Sequence, residues 1–504
     1  MKTKKVLLNL ITDIFPMLVI SLIGIFKFKL FVQVLGVETQ GMYQTFNQIM
    51  FYISIVDGGL GSAVLYALYK PITADHTEAV NEILSGAMLL FSKIGLFVYG
   101  IAFVFSFFVP FMIKDNPFEY SFVVLTFLLF ALGSVIGYFF VPHQSLLEAK
   151  ECRYVYNAVF QLGQIIQGIL EIIFLLIGFR LIAILLMMAV VKLASYVILA
   201  VYSHKKFPEY HYNSKKKNMA FSKQVKHLMF HKINGLVGSN IDVIIITTML
   251  GLRETGIYSA YSYIITMIKQ IVEKIYSSVL AILGNLLSSD TQKAFCLFKE
   301  LNSLLFFISN VLCVPLILSI DDFIRIWYEG EIPTDHMVAI AFVGLLLLAI
   351  IKIDTTVFVN AGGLFRETKV CALVDTVVNF VLSLSLVFVF GMSGVLIATC
   401  ISVFIAEYVM KTLVIHKYIF KTSSLWFFIK NIKFFALMGA DWVVGFWITQ
   451  NLRFENLFFW FLFYTVFTAI NSVLILLIYH LMKEDEFMKR VKFSKFKREA
   501  RNAE

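Results

Sequence analysis

The chain is a near-continuous series of apolar runs, each long enough to cross a bilayer, broken by short polar segments. A spanning α-helix uses about 20 such residues. Within lipid every backbone N–H and C=O must find its partner inside the segment, which favours helices and excludes exposed loops or open sheet edges. Fourteen runs can be placed, at 10–34, 42–69, 83–113, 118–147, 154–178, 181–203, 227–250, 256–284, 295–319, 336–360, 370–390, 393–415, 427–450 and 456–481. Composition agrees, with 59% hydrophobic and 15% charged residues, against about 45–50% and 25% in soluble domains. A water-soluble enzyme, a disordered chain and a disulfide-stapled domain are excluded. The expectation is an all-α integral membrane protein.

Net charge is +10. In a soluble chain that would raise nucleic acid as a partner. Here the basic side chains sit between the apolar runs, so no nucleic acid is expected. Of 43 Lys and Arg, 29 fall in alternate segments (1–9, 70–82, 148–153, 204–226, 285–299, 361–369, 416–433 and the tail from 482). The opposite segments hold only Lys114, Arg180, Arg253, Arg325 and Arg453. Positive residues stay on the cytoplasmic side, so both termini are expected in the cytoplasm. The first apolar run follows Lys2, Lys4 and Lys5 without a cleavage site and is expected to remain as the first helix. The five cysteines, Cys152, Cys296, Cys313, Cys371 and Cys400, lack metal-site spacing. His227 and His231 are four apart, but nothing adjacent completes a tetrahedral site. No Gly-rich phosphate loop or nucleotide domain is visible, so no cofactor is expected.

An internal repeat organises the chain. Leu35-Gly36, Gly41 and Tyr43 recur as Leu250-Gly251, Gly256 and Tyr258, 215 residues later. Arg153 and Gly178 recur as Arg366 and Gly391 at an offset of 213. Each unit holds six spans, an even number, so both enter from the same side as a parallel repeat. The expected domains are a six-helix lobe at 1–203, a basic linker at 204–226, a second six-helix lobe at 227–415, an extra helix pair at 416–482 and a basic tail at 483–504.

Three segments carry a resemblance: Leu35-Gly36 through Tyr43 running on to Asp57-Gly58-Gly59-Leu60-Gly61-Ser62-Ala63; Asn240-Ile241-Asp242 followed by Leu250 to Tyr261; and Phe323-Ile324-Arg325-Ile326-Trp327. On these residues the chain resembles the multidrug/oligosaccharidyl-lipid/polysaccharide exporter superfamily, and within it the Wzx-type polysaccharide-biosynthesis flippases. The resemblance implies a MATE-like, V-shaped pair of lobes in a bacterial cell membrane. It implies a polyprenyl-pyrophosphate-linked oligosaccharide as substrate, and a polysaccharide polymerase and glycosyltransferases as partners. Fourteen spans favour the oligosaccharide or peptidoglycan-precursor branches over the drug exporters, which usually have twelve.

An ionisable side chain inside a span costs about 2.5–3.5 kcal/mol and usually faces the bundle interior or a water-filled cavity. On that ground the candidate substrate-binding residues are Lys27, Lys29, Asp57, Asp242, Lys269, Glu273 and Lys274. The repeat offset carries Lys27 onto Asp242, and Asp57 to within one residue of Glu273. The cations would attract pyrophosphate while the carboxylates provide coupling or charge balance. Each has a structural alternative. Lys29 can snorkel, Asp57 and Asp242 can hydrogen-bond structurally, and Lys269 and Glu273 at i, i+4 can neutralise each other. Lys93, Glu171, Lys192, Lys352, Asp354, Asp375 and Glu407 form a second rank. Pro16, Pro110, Pro142 and Pro315 mark kinks, as hinges or as static bends. With no ATPase domain, export would draw on a H+ or Na+ gradient or on removal of product. The alternatives are a cation-coupled drug exporter and a lipid-linked peptidoglycan precursor flippase. An external loop large enough for a glycosyltransferase is missing.

Overall fold

The computed structural model describes residues 2–55, 60–213, 215–220 and 241–484, with the side chains at 2–15, 60, 273–282, 284–285 and 288–289 left out of the description. Asp57 therefore lies outside the described residues, as do the side chains of Glu273 and Lys274, and His227, His231 and the tail beyond 484.

Among the described residues every regular element is helical. In the first half these are α1 (Lys2–Leu35), α2 (Val37–Ser54), α3 (Leu60–Thr73), α4 (Thr77–Ser106), α5 (Val109–Met112), α6 (Tyr120–Val135), α7 (Val141–Ala149), α8 (Arg153–Ile177) and α9 (Leu181–Lys206). Then follow α10 (Asp242–Met249), α11 (Leu252–Ser289), α12 (Thr291–Trp327), α13 (His336–Ile351), α14 (Ile353–Ala361), α15 (Lys369–Val403), α16 (Lys411–Ile415), α17 (Leu425–Thr449) and α18 (Leu457–Leu481). Among the described residues, ten helical stretches are long and apolar enough to cross a membrane. One of them, Lys369–Phe420, contains two expected spans, 370–390 and 393–415, joined through a kink at Gly391. The expected spans at 42–69 and 227–250 run into residues outside the description, and 256–284 falls in the more polar α11.

The matched glycines of the repeat do matched work. Gly36 and Gly251 both sit at positive φ, 89° and 102°, and so do Gly178 and Gly391, at 90° and 57°. A left-handed residue is cheap only for glycine, which ends one helix and redirects the chain into the next. Gly41 and Gly256 are also equivalent, and they meet. A Cβ on Gly41 would lie 2.9 Å from Gly256 N, and one on Gly256 would lie 2.6 Å from Val37 Cγ1. The two copies of the motif thus cross backbone to backbone. A buried hydroxyl chain seals the crossing: Thr45 Oγ1 to Thr247 Oγ1 at 2.8 Å, Thr247 Oγ1 to Thr255 Oγ1 at 2.9 Å, and Thr255 Oγ1 donating to Gly251 O at 3.0 Å.

The chain forms two compact units, Met1–Gly256 and Ile257–Glu504. The border lies beyond the 204–226 linker that the sequence suggests, because α10 packs against α2. Part of that linker is itself docked. Tyr210 is buried, His211 N donates to Asn81 Oδ1 at 2.8 Å, and Asn218 N donates to Glu82 O at 3.1 Å. In the first unit the core is built by Met42, Phe46, Phe91 and Phe127, with Phe46 edge-on to Phe127 at 5.2 Å. In the second, Phe298 stacks on Phe427 at 5.4 Å beside His416 and Phe420. Helix boundaries differ from expectation at 285–299, a segment assigned to a loop. Only Asp290 separates α11 from α12, and its carboxylate caps α12 by accepting from Gln292 N and Lys293 N. Similarly, the stretch after α15 continues as π-helical turns at Phe404–Met410 and His416–Phe420 on either side of α16.

Candidate substrate-facing site

Helix α8 is the most amphipathic element in the first unit, and its polar stripe would lie at membrane depth. Asn157, Gln161, Gln164, Gln167 and Glu171 recur every three or four residues, which places them within an arc of about 120° at 100° per residue. The opposite face carries Leu162, Ile166, Ile169 and Ile173, all exposed. Hydrocarbon suits that apolar face, and water suits the amides. Four amides that both donate and accept, and a carboxylate that accepts, would be costly against lipid.

At the end of this stripe Glu171 is 3% exposed and ion-paired to Lys27 of α1, Nζ to Oε2 at 2.9 Å. Gln167 Nε2 donates to Glu171 Oε1 at 2.7 Å. Close approach of the helices makes the pair possible, since a Cβ on Gly168 would lie 2.6 Å from Ile23 Cγ2 of α1. Lys27 keeps 30% of its surface open, so the pair reaches the protein surface instead of being sealed in the core. Lys192 on α9 is exposed, about halfway along a helix of hydrocarbon-spanning length. A cation so placed belongs on a wet face.

Of the residues expected from sequence, Lys27 is thus placed with Glu171, a partner the repeat arithmetic did not assign. Lys29, two residues on, is half-buried and points elsewhere, as its spacing requires. Asp242 begins α10 in the same unit, buried to 6%, and its charge acts on Tyr52 of α2. Lys269 lies in the second unit, where its charge acts on Lys352. Lys352 sits at the break between α13 and α14 and shares Glu407 with Lys411. Its Nζ is 3.7 Å from Glu407 Oε2, and Lys411 Nζ is 2.5 Å from the same oxygen. Glu407 stands in the Phe404–Met410 π-turn, a distortion frequent at functional sites. Asp354 is fully buried, accepting from Asn302 Nδ2 at 3.1 Å and Thr355 N at 2.6 Å. It serves the packing of α12 on α14.

The glutamines of α8 are not among the residues expected from sequence. Their three-and-four spacing inside an apolar run was the available signal, but neutral amides do not register in a search for charge. Among the described residues no group of three or more His, Cys, Asp or Glu is placed to hold a metal ion.

No protein-family model matches the chain, and no curated protein matches it in sequence. Solved structures do match in fold. One is the lipid II flippase MurJ in an inward-closed conformation, at TM-score 0.69 and 16% identity, covering 95% of this chain and 99% of that one. Another is an inward-facing multidrug resistance MATE family transporter of the MOP superfamily, at TM-score 0.64 and 15% identity, covering 80% and 96%. A third is a MATE protein in a bent conformation, at TM-score 0.53 and 14% identity, covering 85% and 95%. The chain has the MATE-like fold.

Proposed function

We propose that this protein is a flippase that moves a polyprenyl-pyrophosphate-linked oligosaccharide from the cytoplasmic to the outer leaflet of a bacterial cell membrane by alternating access. The observation that carries the reading is the amide stripe of α8, which ends in the Lys27–Glu171 pair. Sugar hydroxyls both donate and accept, and a ladder of glutamines answers them along the path while the prenyl chain stays in lipid. Lys27 draws the pyrophosphate. Asp57, Asp242 and Glu273, with Lys269 and Lys274, balance charge or exchange partners as the lobes rock. A H+ or Na+ gradient, or removal of product outside, gives direction. A polymerase and glycosyltransferases would act after and before it.

A second reading, a lipid-linked peptidoglycan precursor as cargo, is favoured by the 95% coverage against MurJ, compared with 80% against the MATE transporter. The test is genetic. Deletion should leave lipid-linked repeats on the cytoplasmic leaflet, and Lys27→Ala or Asp242→Asn should fail to restore export at normal membrane levels. Full restoration by both variants overturns the site. Lysis with accumulated peptidoglycan precursor, instead of loss of a surface polymer, selects the second reading.

A further inference from the structure

The first unit contains a small cavity of about 210 Å³ between α6, α8 and α9. Its walls include Ser134 of α6, Phe160, Gln164 and Gln167 of α8, and Lys192 and Tyr196 of α9. Drug-sized sites run to about 300–1,000 Å³, so this one suits a single ring or headgroup. Beside the cavity the helices meet closely through small residues. A Cβ on Gly163 would collide with Ser195 Oγ, and one on Gly137 with the Tyr196 hydroxyl.

The polar groups converge on one kind of ligand. Lys192 supplies a single cation. Glu171, the carboxylate whose field reaches it, is already paired with Lys27 and Gln167. Gln164 and Gln167 offer amide donors and acceptors, and Ser134 a hydroxyl that donates to Phe130 O at 3.0 Å and can still accept. Tyr196 is held in place by Phe140, stacked at 5.3 Å, and by Phe160, edge-on at 4.7 Å. The aromatic carbon gives the wall an apolar patch. One ammonium balances one carboxylate, whereas a phosphomonoester carries about −1.5 to −2 at neutral pH.

We infer that this cavity is a subsite for an acidic sugar, a ring bearing one carboxylate that meets Lys192 while its hydroxyls engage Gln164 and Gln167. The inference rests on the flippase reading and narrows its cargo to repeat units that contain such a sugar.

The full chain in nanodiscs would be tested by saturation-transfer NMR with methyl β-D-glucuronide, with methyl β-D-glucoside as the uncharged comparator. Wild type should transfer saturation to the glucuronide ring protons, and Lys192→Gln should bind it about tenfold more weakly, the loss expected for a charged hydrogen bond. Lys192→Arg should keep most of the binding. Gln164→Leu should weaken both sugars. Matching thermal unfolding of the variants guards against a folding defect. Equal binding of the two sugars, no glucuronide binding to folded wild type, or an unchanged Lys192→Gln would overturn the assignment. So would displacement of the glucuronide by an equal concentration of pyrophosphate, which would mark a phosphate site. The binding readout does not depend on transport. Uronide binding with no flipping would sink the flippase reading alone, and flipping without uronide binding would sink the subsite alone.

Discussion

Replacing Lys27 by methionine should destabilise the first unit more than neutralising its partner does. Glu171 is 3% exposed and Lys27 is 30% exposed. With Lys27 gone, the carboxylate keeps the Gln167 amide at 2.7 Å and only the more distant charge of Lys192, so it is left buried without its ion-pair partner. Breaking a buried pair from one side costs about 3–5 kcal/mol. Lys27 is only partly buried, so the lower end, about 3 kcal/mol, is the expected loss. Glu171→Gln leaves a cation that water can still solvate, and its cost should be nearer about 1 kcal/mol. In the double variant neither charge remains. Its loss should therefore fall below the sum of the singles by about 1–3 kcal/mol. Thermal unfolding of purified protein, followed by intrinsic fluorescence, orders the four proteins. An unfolding temperature for Lys27→Met at or above that of Glu171→Gln, or strict additivity in the double variant, would refute the argument that the pair is buried from the Glu171 side.

Two further outcomes follow from the same geometry. Gly256→Ala and Gly41→Ala should each cost about 1–3 kcal/mol through overpacking, since the added methyls meet backbone and Val37 at the crossing; unchanged unfolding temperatures would mean that the crossing is looser than described. At Asp290, the Lys293 N–H first, then the Lys293 ammonium 3.0 Å away and the Gln292 N–H, hold the carboxyl below the ordinary carboxylate range. A lowered folded-state pKa contributes stability above the unfolded value and loses it as pH falls through the folded one. Asp290→Ala should therefore unfold earlier than wild type at pH 7, with the gap closing below about pH 4; a gap independent of pH contradicts the capping role.

Much of the architecture was legible because lipid leaves a chain so few choices. Apolar runs set the helices, and the recurrence of Gly36 at Gly251 and of Gly178 at Gly391 announced the repeat through a backbone demand that only glycine meets cheaply. The partner of Lys27 was not legible. The repeat offset relates Lys27 to Asp242 only as equivalent positions, whereas an ion pair follows helix contact, and α1 lies along α8. The docking of 204–220 was hidden for a related reason: His211 and Asn218 bond to Asn81 and Glu82, more than a hundred residues earlier. Lys352 and Glu407 were visible as charges, but the kink at Lys352 and the π-turn at Glu407 that bring them together with Lys411 are not written in any local pattern.

A flippase of this kind requires α8 to present its amide face to water in the middle of the membrane. Cysteine scanning across 157–173, in a background with the five native cysteines replaced by alanine, reads this directly with a polar maleimide on intact membranes. Rapid labelling of Asn157→Cys, Gln161→Cys and Gln164→Cys is expected, with Leu162→Cys, Ile166→Cys and Ile169→Cys protected. Uniform protection, or labelling of the leucine and isoleucine face instead, would contradict it.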